Sequence, residues 1–101
     1  MKVTRRFQVR DVGDGPRYQL WVDDVLVASC EFLGIEESLL GDFPDTLLEL
    51  VVRQGCQRTT AKSFLWQFLD QKKKRQETGG TLFVWGQMIE CDAESESRAP
   101  R

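Results

Sequence analysis

Two runs of β-branched and aromatic residues on either side of Asp23 and Asp24 constrain the fold more than any other feature of the sequence. The first run is Tyr18–Val22, and the second begins at Val25. Apolar runs separated by two turn-forming residues are typical of a tight β-hairpin. The segment therefore predicts an antiparallel sheet that forms early in the chain.

Periodicity and turn residues predict the remaining elements. Residues 2–12 alternate between apolar and polar side chains, which predicts a strand with a basic outer face. Glycine and proline mark the turns and the helix ends. We expect strands at 2–12, 18–22, 25–32 and 81–91, helices at 44–54 and from Thr59 or Thr60 to 77, and a loop at 33–42. The predicted fold class is α+β: an antiparallel four-stranded sheet in the order β-β-β-α-α-β with two helices packed on one face.

Size and composition predict one domain. A chain of 101 residues with 41% hydrophobic residues is large enough for one core and too small for two. We expect a single α+β domain at 1–91 and a disordered acidic tail at 92–101. The absence of a long apolar run or a signal-peptide core favours a cytoplasmic protein without a membrane partner. The three widely spaced cysteines favour buried, reduced thiols over a disulfide framework.

Charge is segregated along the chain, although the net charge is only −2. Residues 1–10 carry a net charge of +4, residues 11–50 of −9, residues 51–75 of +6 and residues 76–101 of −3. Blocks of this kind can form faces of opposite sign, which favour oriented docking onto a charged partner. Charge alone does not identify that partner.

The residue types argue against most catalytic and metal chemistry. The sequence has no histidine, which excludes Ser-His-Asp and Cys-His catalysis and His-containing zinc sites. It has no CxxC pair, and its glycines match neither a dinucleotide-binding fingerprint nor a phosphate-binding loop. Cys56 lies beside Arg53 and Arg58, which could lower its pKa, although a cysteine between helices is usually a small hydrophobe. We expect no catalytic residue, no metal site and no cofactor.

Large apolar side chains on both faces of the predicted strands indicate a binding surface. Two helices cover only one face, so we expect Trp21 and Trp85 to be exposed on the other, near Arg6 and Arg10 of the first strand. Tryptophan and arginine are enriched at binding hot spots. Alternatively, the last strand is central in the sheet and the loop at 33–42 buries its second face. Trp66 fits the apolar stripe of the second helix poorly, so it either anchors a partner or packs under that loop.

The segment from Leu50 to Phe64 resembles the central part of a helix-turn-helix DNA reader. The matching features are an apolar helix end, Gly55 in the turn, the apolar Cys56 after it and a polar start of the second helix. The resemblance places the motif at 47–66 and implies five groove-facing side chains: Gln57, Arg58, Thr59, Lys62 and Ser63. The last turns of the helix add four cations that are either docking groups or a solvated helix end: Lys72, Lys73, Lys74 and Arg75. An ordinary helical hairpin packed on a sheet accounts for the same residues.

These observations favour a small non-enzymatic protein-binding module that occupies a surface on another macromolecule, as inhibitors, adaptors and subunits do. Its partner would be another protein or protein complex, or a second copy bound through the sheet face. The partner-binding residues would be Arg6, Arg10, Trp21, Trp66 and Trp85. The alternative is a nucleic-acid-binding protein that uses the helix-turn-helix-like segment and the basic residues. An enzyme that uses carboxylates or Cys56 is a third class.

Overall fold

The computed structural model describes residues 2–13, 17–35, 46–75 and 82–92. These residues form, in chain order, β1 (Lys2–Asp11), β2 (Tyr18–Val22), β3 (Val25–Cys30), α1 (Leu47–Arg53), α2 (Arg58–Arg75) and β4 (Phe83–Asp92). The four strands make one antiparallel sheet in the order β3-β2-β1-β4. The predicted α+β class and element order are confirmed.

The hairpin between β2 and β3 has the turn that its two aspartates predict. Asp23 and Asp24 both have positive φ, of 51° and 66°. Positive φ at both central residues is the geometry of the type I′ hairpin turn, and aspartate is among the residues that tolerate it. The Asp23 carboxylate also accepts a hydrogen bond from the backbone N–H of Arg6 at 3.0 Å. The turn is therefore anchored to the neighbouring strand β1.

The core lies between the sheet and the two helices. Odd-numbered residues of β1 such as Phe7 and Val9 are fully buried on the helix side. The ring of Phe7 meets that of Phe64 edge-on at 6.2 Å, and the Tyr18 ring meets that of Phe68 at 6.0 Å. Because α2 supplies both partners and α1 buries Leu47 in the same core, both helices pack on one face of the sheet.

Several predicted boundaries shift, among them the end of the third strand, which is Cys30 rather than 32. Two of the shifts arise because backbone groups are used elsewhere. Helix α1 begins at Leu47 rather than at 44, since the N–H groups of Leu47 and Leu48 donate to the carbonyls of Phe32 and Leu33. Asp92, predicted to begin the tail, instead ends β4, where it pairs with Lys2. The predicted tail from 93 onward, most of the loop at 33–42 and the end of the second helix after 75 lie outside the described residues.

A glycine turn fixes the position of α1 and α2 relative to the end of β4. Gly55 has φ of +97°, and a Cβ built on it would lie 2.8 Å from the backbone oxygen of Asp92. The Asp92 N–H donates to the Gly55 carbonyl at 3.0 Å. Only glycine combines this φ with so close an approach of another backbone.

Neither described helix has the length and apolarity that a bilayer span needs.

Candidate functional site

The face of the sheet that points away from the helices is the candidate binding surface, and we call it the open face. No helix of the described part of the chain packs on it. Strand register places on this face the even-numbered side chains of β1 and their neighbours on the other strands. Its middle is formed by Arg6, Gln8, Arg10, Gln19, Trp21, Val84, Gly86 and Met88.

A stacked pair of side chains lies at the centre of the open face, and we call it the Arg10–Trp21 stack. The guanidinium carbon of Arg10 is 4.1 Å from the centre of the Trp21 ring, which is cation–π geometry. Arg10 Nη2 donates to Gln8 Oε1 at 3.1 Å, and Trp21 Nε1 donates to Gln19 Oε1 at the same distance. Neighbouring strands bring these four residues together, because Gln8 pairs with Trp21 and Arg10 with Gln19. Three contacts therefore hold the cation and the indole in place: the stack itself and the two hydrogen bonds to the glutamines.

Apolar side chains and a second arginine surround the stack. On β4, Val84 is 40% exposed and Met88 is 57% exposed, and both point to the open face. Gly86 between them lies opposite Gln8, whose side chain covers it: a Cβ built on Gly86 would lie 3.3 Å from Gln8 Cγ. Arg6 forms an exposed ion pair with Asp24 of the hairpin turn. The surface thus combines a fixed cation, an aromatic ring and partly exposed aliphatic groups.

Trp85 does not lie on the open face. It pairs with Val9, whose side chain is in the core, so Trp85 points to the helix side, where it is partly buried beside Phe83. The expectation that Trp21 and Trp85 share a face is therefore wrong. Alternation shows which side chains of β4 share a face, but the register that joins β4 to β1 decides which set faces the helices.

Trp66 lies on the solvent side of α2, away from both the core and the open face. Its side chain is 53% exposed, while Leu65 and Phe68 beside it in sequence are buried. The loop at 33–42, under which Trp66 would pack in one of the two alternatives, falls largely outside the described residues. Trp66 is therefore a second aromatic group accessible at the surface, separated from the Arg10–Trp21 stack by the thickness of the domain.

The residues suggested by the helix-turn-helix resemblance are all exposed or partly exposed at the start of α2. Arg58 is already paired within the protein, because it donates to Glu49 of α1 through both terminal nitrogens, at 2.8 and 3.1 Å. The hydrogen bond raises the pKa of Arg58 and lowers that of Glu49. Ser63 accepts a hydrogen bond from Gln67 at 3.2 Å. The remaining members of the set at this end of the helix are Gln57, Thr59 and Lys62.

The four cations at the end of α2 do not form one patch. Lys72 is only 13% exposed, and its ammonium group donates to Asp11 at 3.1 Å and to the Tyr18 hydroxyl at 3.3 Å. Lys74 lies 3.4 Å from Asp70 on the exposed side of the helix. Lys72 is therefore committed to the fold, and the exposed cations are Lys73, Lys74 and Arg75.

Asp11 is a buried charged residue that sequence reasoning missed. Its carboxylate accepts two hydrogen bonds from Arg17, at 2.9 and 3.0 Å, besides that from Lys72. Burial alone would raise the pKa of Asp11, but the hydrogen bonds from Arg17 and Lys72 outweigh it and the pKa is lowered. The alternation of β1 places Asp11 on the same face as Phe7 and Val9, and this is the signal in the sequence that could have identified it as buried. The cluster links β1, β2 and α2, so its role is structural.

Cys56 lacks the environment of a reactive thiol. It is buried, and this burial, together with the nearby Cys91, raises its pKa to about 11. The expectation that Arg53 and Arg58 could lower this pKa is wrong, because Arg58 pairs with Glu49 and the thiol points into the core. All three cysteines of the chain are free and buried.

The described residues contain no group of three or more acidic or sulfur side chains that could hold a metal ion. No protein-family model matches the sequence, and no curated protein or solved structure is significantly similar to it. The open face and the exposed side of α2 are thus the two surfaces on which a functional proposal can rest.

Proposed function

We propose that this protein is a non-enzymatic protein-binding module that engages its partner through the open face. The observation that carries the proposal is the Arg10–Trp21 stack, a large aromatic ring and a cation held at the middle of a sheet face on which no described helix packs. Its partner would present an acidic side chain to Arg10 and apolar groups to Val84 and Met88. The free thiols fit a reducing compartment such as the cytoplasm.

Preorganisation is the physical reason why this surface suits binding. Ordering a long side chain at an interface costs about 0.5–1.5 kcal/mol, and the Arg10 side chain is already held by Trp21 and Gln8. A guanidinium can donate two parallel hydrogen bonds to one carboxylate, which gives both affinity and orientation. The tryptophan supplies apolar contact area beside that ion pair. Together these groups have the composition of a binding hot spot.

The test compares three forms of the protein as bait in a cell extract. The open-face variant R10E/W21A should lose the partner protein that the wild type retains, because it removes the aromatic surface and reverses the charge. The matched control is K62A/W66A, which also removes one cation and one tryptophan, but from the exposed side of α2. Retention by the open-face variant, or loss only in the control, would contradict the proposal. Circular dichroism establishes that each variant is folded.

Nucleic-acid binding through α2 is the second candidate, favoured by the exposure of Gln57, Thr59, Lys62 and Ser63 on one end of that helix. We propose fluorescence anisotropy with labelled duplex and single-stranded DNA at two salt concentrations. Binding through phosphates would weaken steeply with salt because counterions are released. The double variant R58A/K62A should bind more weakly, and an unchanged affinity would remove this candidate.

A further inference from the structure

Strand β4 is an edge strand without the usual protection against pairing. It has β1 on one side, and no other described strand lies on its other side. Its ten residues, Phe83–Asp92, contain no proline, lysine or arginine, and its register with β1 is continuous from one end to the other. The opposite edge strand β3 is shorter and carries a bulge. Its two charged residues, Glu90 and Asp92, lie at one end of the strand, and a long, regular edge of this kind is a template for pairing with another strand.

Two buried polar atoms of β4 lack hydrogen-bond partners. Trp85 Nε1 is a donor and Gln87 Oε1 is an acceptor, and both are buried and unpaired in the structure. Both side chains point to the same side of the sheet, two residues apart. On β2, Trp21 and Gln19 are also two residues apart, and a hydrogen bond joins their side chains; Trp85 and Gln87 have no such bond. A buried polar group without a partner is costly and calls for an explanation.

We propose that β4 pairs antiparallel with β4 of a second copy of this chain, about a two-fold axis at Gly86. In that register, the numbers of two residues that lie opposite each other across the two strands add up to twice 86. Trp85 then lies opposite Gln87 of the second copy, and Gln87 opposite its Trp85. Side chains opposed across antiparallel strands have Cβ atoms about 4.5–5.5 Å apart. Rotation of the Trp85 and Gln87 side chains out of their buried positions then brings the unpaired donor and acceptor within reach of each other twice.

Neighbouring registers do not have this property. An axis at Gln87 would place Trp85 opposite Ile89, and an axis at Trp85 would place Gln87 opposite Phe83, so the indole or the amide would stay without a partner. The axis at Gly86 also sets Val84 opposite Met88 on the open face and keeps Glu90 away from its own copy. Like charges therefore do not oppose each other, and aliphatic groups meet.

Sedimentation analysis of charge-swapped variants tests both the dimer and its register. The wild type should sediment as a dimer. The variants V84K/M88K and V84E/M88E should each be monomeric, because each places like charges opposite each other twice. Mixing the two variants should restore a dimer, since every Lys then faces a Glu. The control variant V27K, on the other edge of the sheet, should dimerise like the wild type.

A monomeric wild type, a dimer that survives V84K/M88K, or a mixture that stays monomeric would overturn the proposal. Should these variants fail to fold, amide hydrogen exchange of the wild type at low and high concentration replaces them. Exchange in β4 should slow as concentration rises, and a concentration-independent rate would overturn the pairing. The inference rests on β4 alone and not on the proposed function, because R10E/W21A should abolish partner capture and leave the dimer intact.

Discussion

Replacing Asp11 by alanine should be among the most destabilising single changes at a polar position of the described chain. Its carboxylate lies in the cluster that joins β1, the start of β2 and α2, where it accepts hydrogen bonds from Lys72, Arg17 and the backbone N–H of Gly13. The substitution leaves the ammonium group of Lys72, whose side chain is 13% exposed, with the Tyr18 hydroxyl as its remaining hydrogen-bond partner in this cluster and with the rings of Tyr18 and Phe68 at 5.3 and 5.9 Å.

The cost follows from how much water each partner can reach. Removing one member of a buried ion pair costs about 3–5 kcal/mol, because the other charge stays buried. Arg17 is nearly half exposed and returns to solvent, so its two bonds to Asp11 add about 0–1 kcal/mol. The residual exposure of Lys72 favours the low end of the range. We expect Asp11→Ala to lower the free energy of unfolding by about 3 kcal/mol, or Tm by roughly 12 °C or more.

Urea denaturation followed by tryptophan fluorescence measures this loss, with Asp70→Ala as the matched control. Asp70 and Lys74 form an exposed ion pair, so the control should differ from the wild type by less than about 0.5 kcal/mol. The reasoning would be refuted if the free energies of unfolding of Asp11→Ala and Asp70→Ala differed by less than about 0.5 kcal/mol.

The same cluster predicts a dependence of stability on pH. The folded-state pKa of Asp11 is below its ordinary value of about 3.9, so its contribution is complete above that value and is lost as pH falls through the folded-state pKa. The difference in unfolding free energy between the wild type and Asp11→Ala should therefore shrink below about pH 4. A difference that stays constant through this range would show that the carboxylate charge is not the cause.

Two further predictions concern the junction of the helices with β4. Gly55→Ala should lower the free energy of unfolding by about 2 kcal/mol or more, because it combines a φ of +97° with a Cβ at 2.8 Å from a backbone oxygen. Gly86→Ala is the control for urea denaturation, since its Cβ would meet the flexible Gln8 side chain and its effect should stay below about 1 kcal/mol. Cys56, with a pKa of about 11, should react with a thiol reagent at pH 8 only on unfolding, and rapid labelling of the native protein would contradict its burial.

Local patterns in the sequence were enough to predict the elements of this fold. The aspartate pair at 23 and 24 predicted the hairpin because turn chemistry is a local property. The apolar stripe of α2 likewise identified its buried side, including Phe64 and Phe68. These features depend on neighbours a few residues apart, so the sequence carries them directly.

Features that depend on pairing between distant strands could not be predicted in this way. Alternation in β4 separates Trp85 from Val84, but only the register with β1 shows which of them faces the helices. The sequence places Lys72 in a basic run, and only the folded structure shows that it pairs with Asp11. In both cases the deciding neighbour is far away in the sequence, at a distance that local periodicity does not report.

The proposed pairing of β4 has a consequence for the proposed binding surface. A two-fold axis perpendicular to the sheet keeps the open faces of both copies on the same side, so two Arg10–Trp21 stacks would face one partner. Linked sites of this kind can raise overall affinity by a factor of about 10²–10⁴ without any new contact when a partner engages both. V84K/M88K would then weaken capture of a two-site partner for two reasons, because it dissociates the dimer and also replaces two apolar side chains of the open face. R10E/W21A would abolish capture of any partner while the dimer persists, which separates the contribution of the surface from that of the assembly.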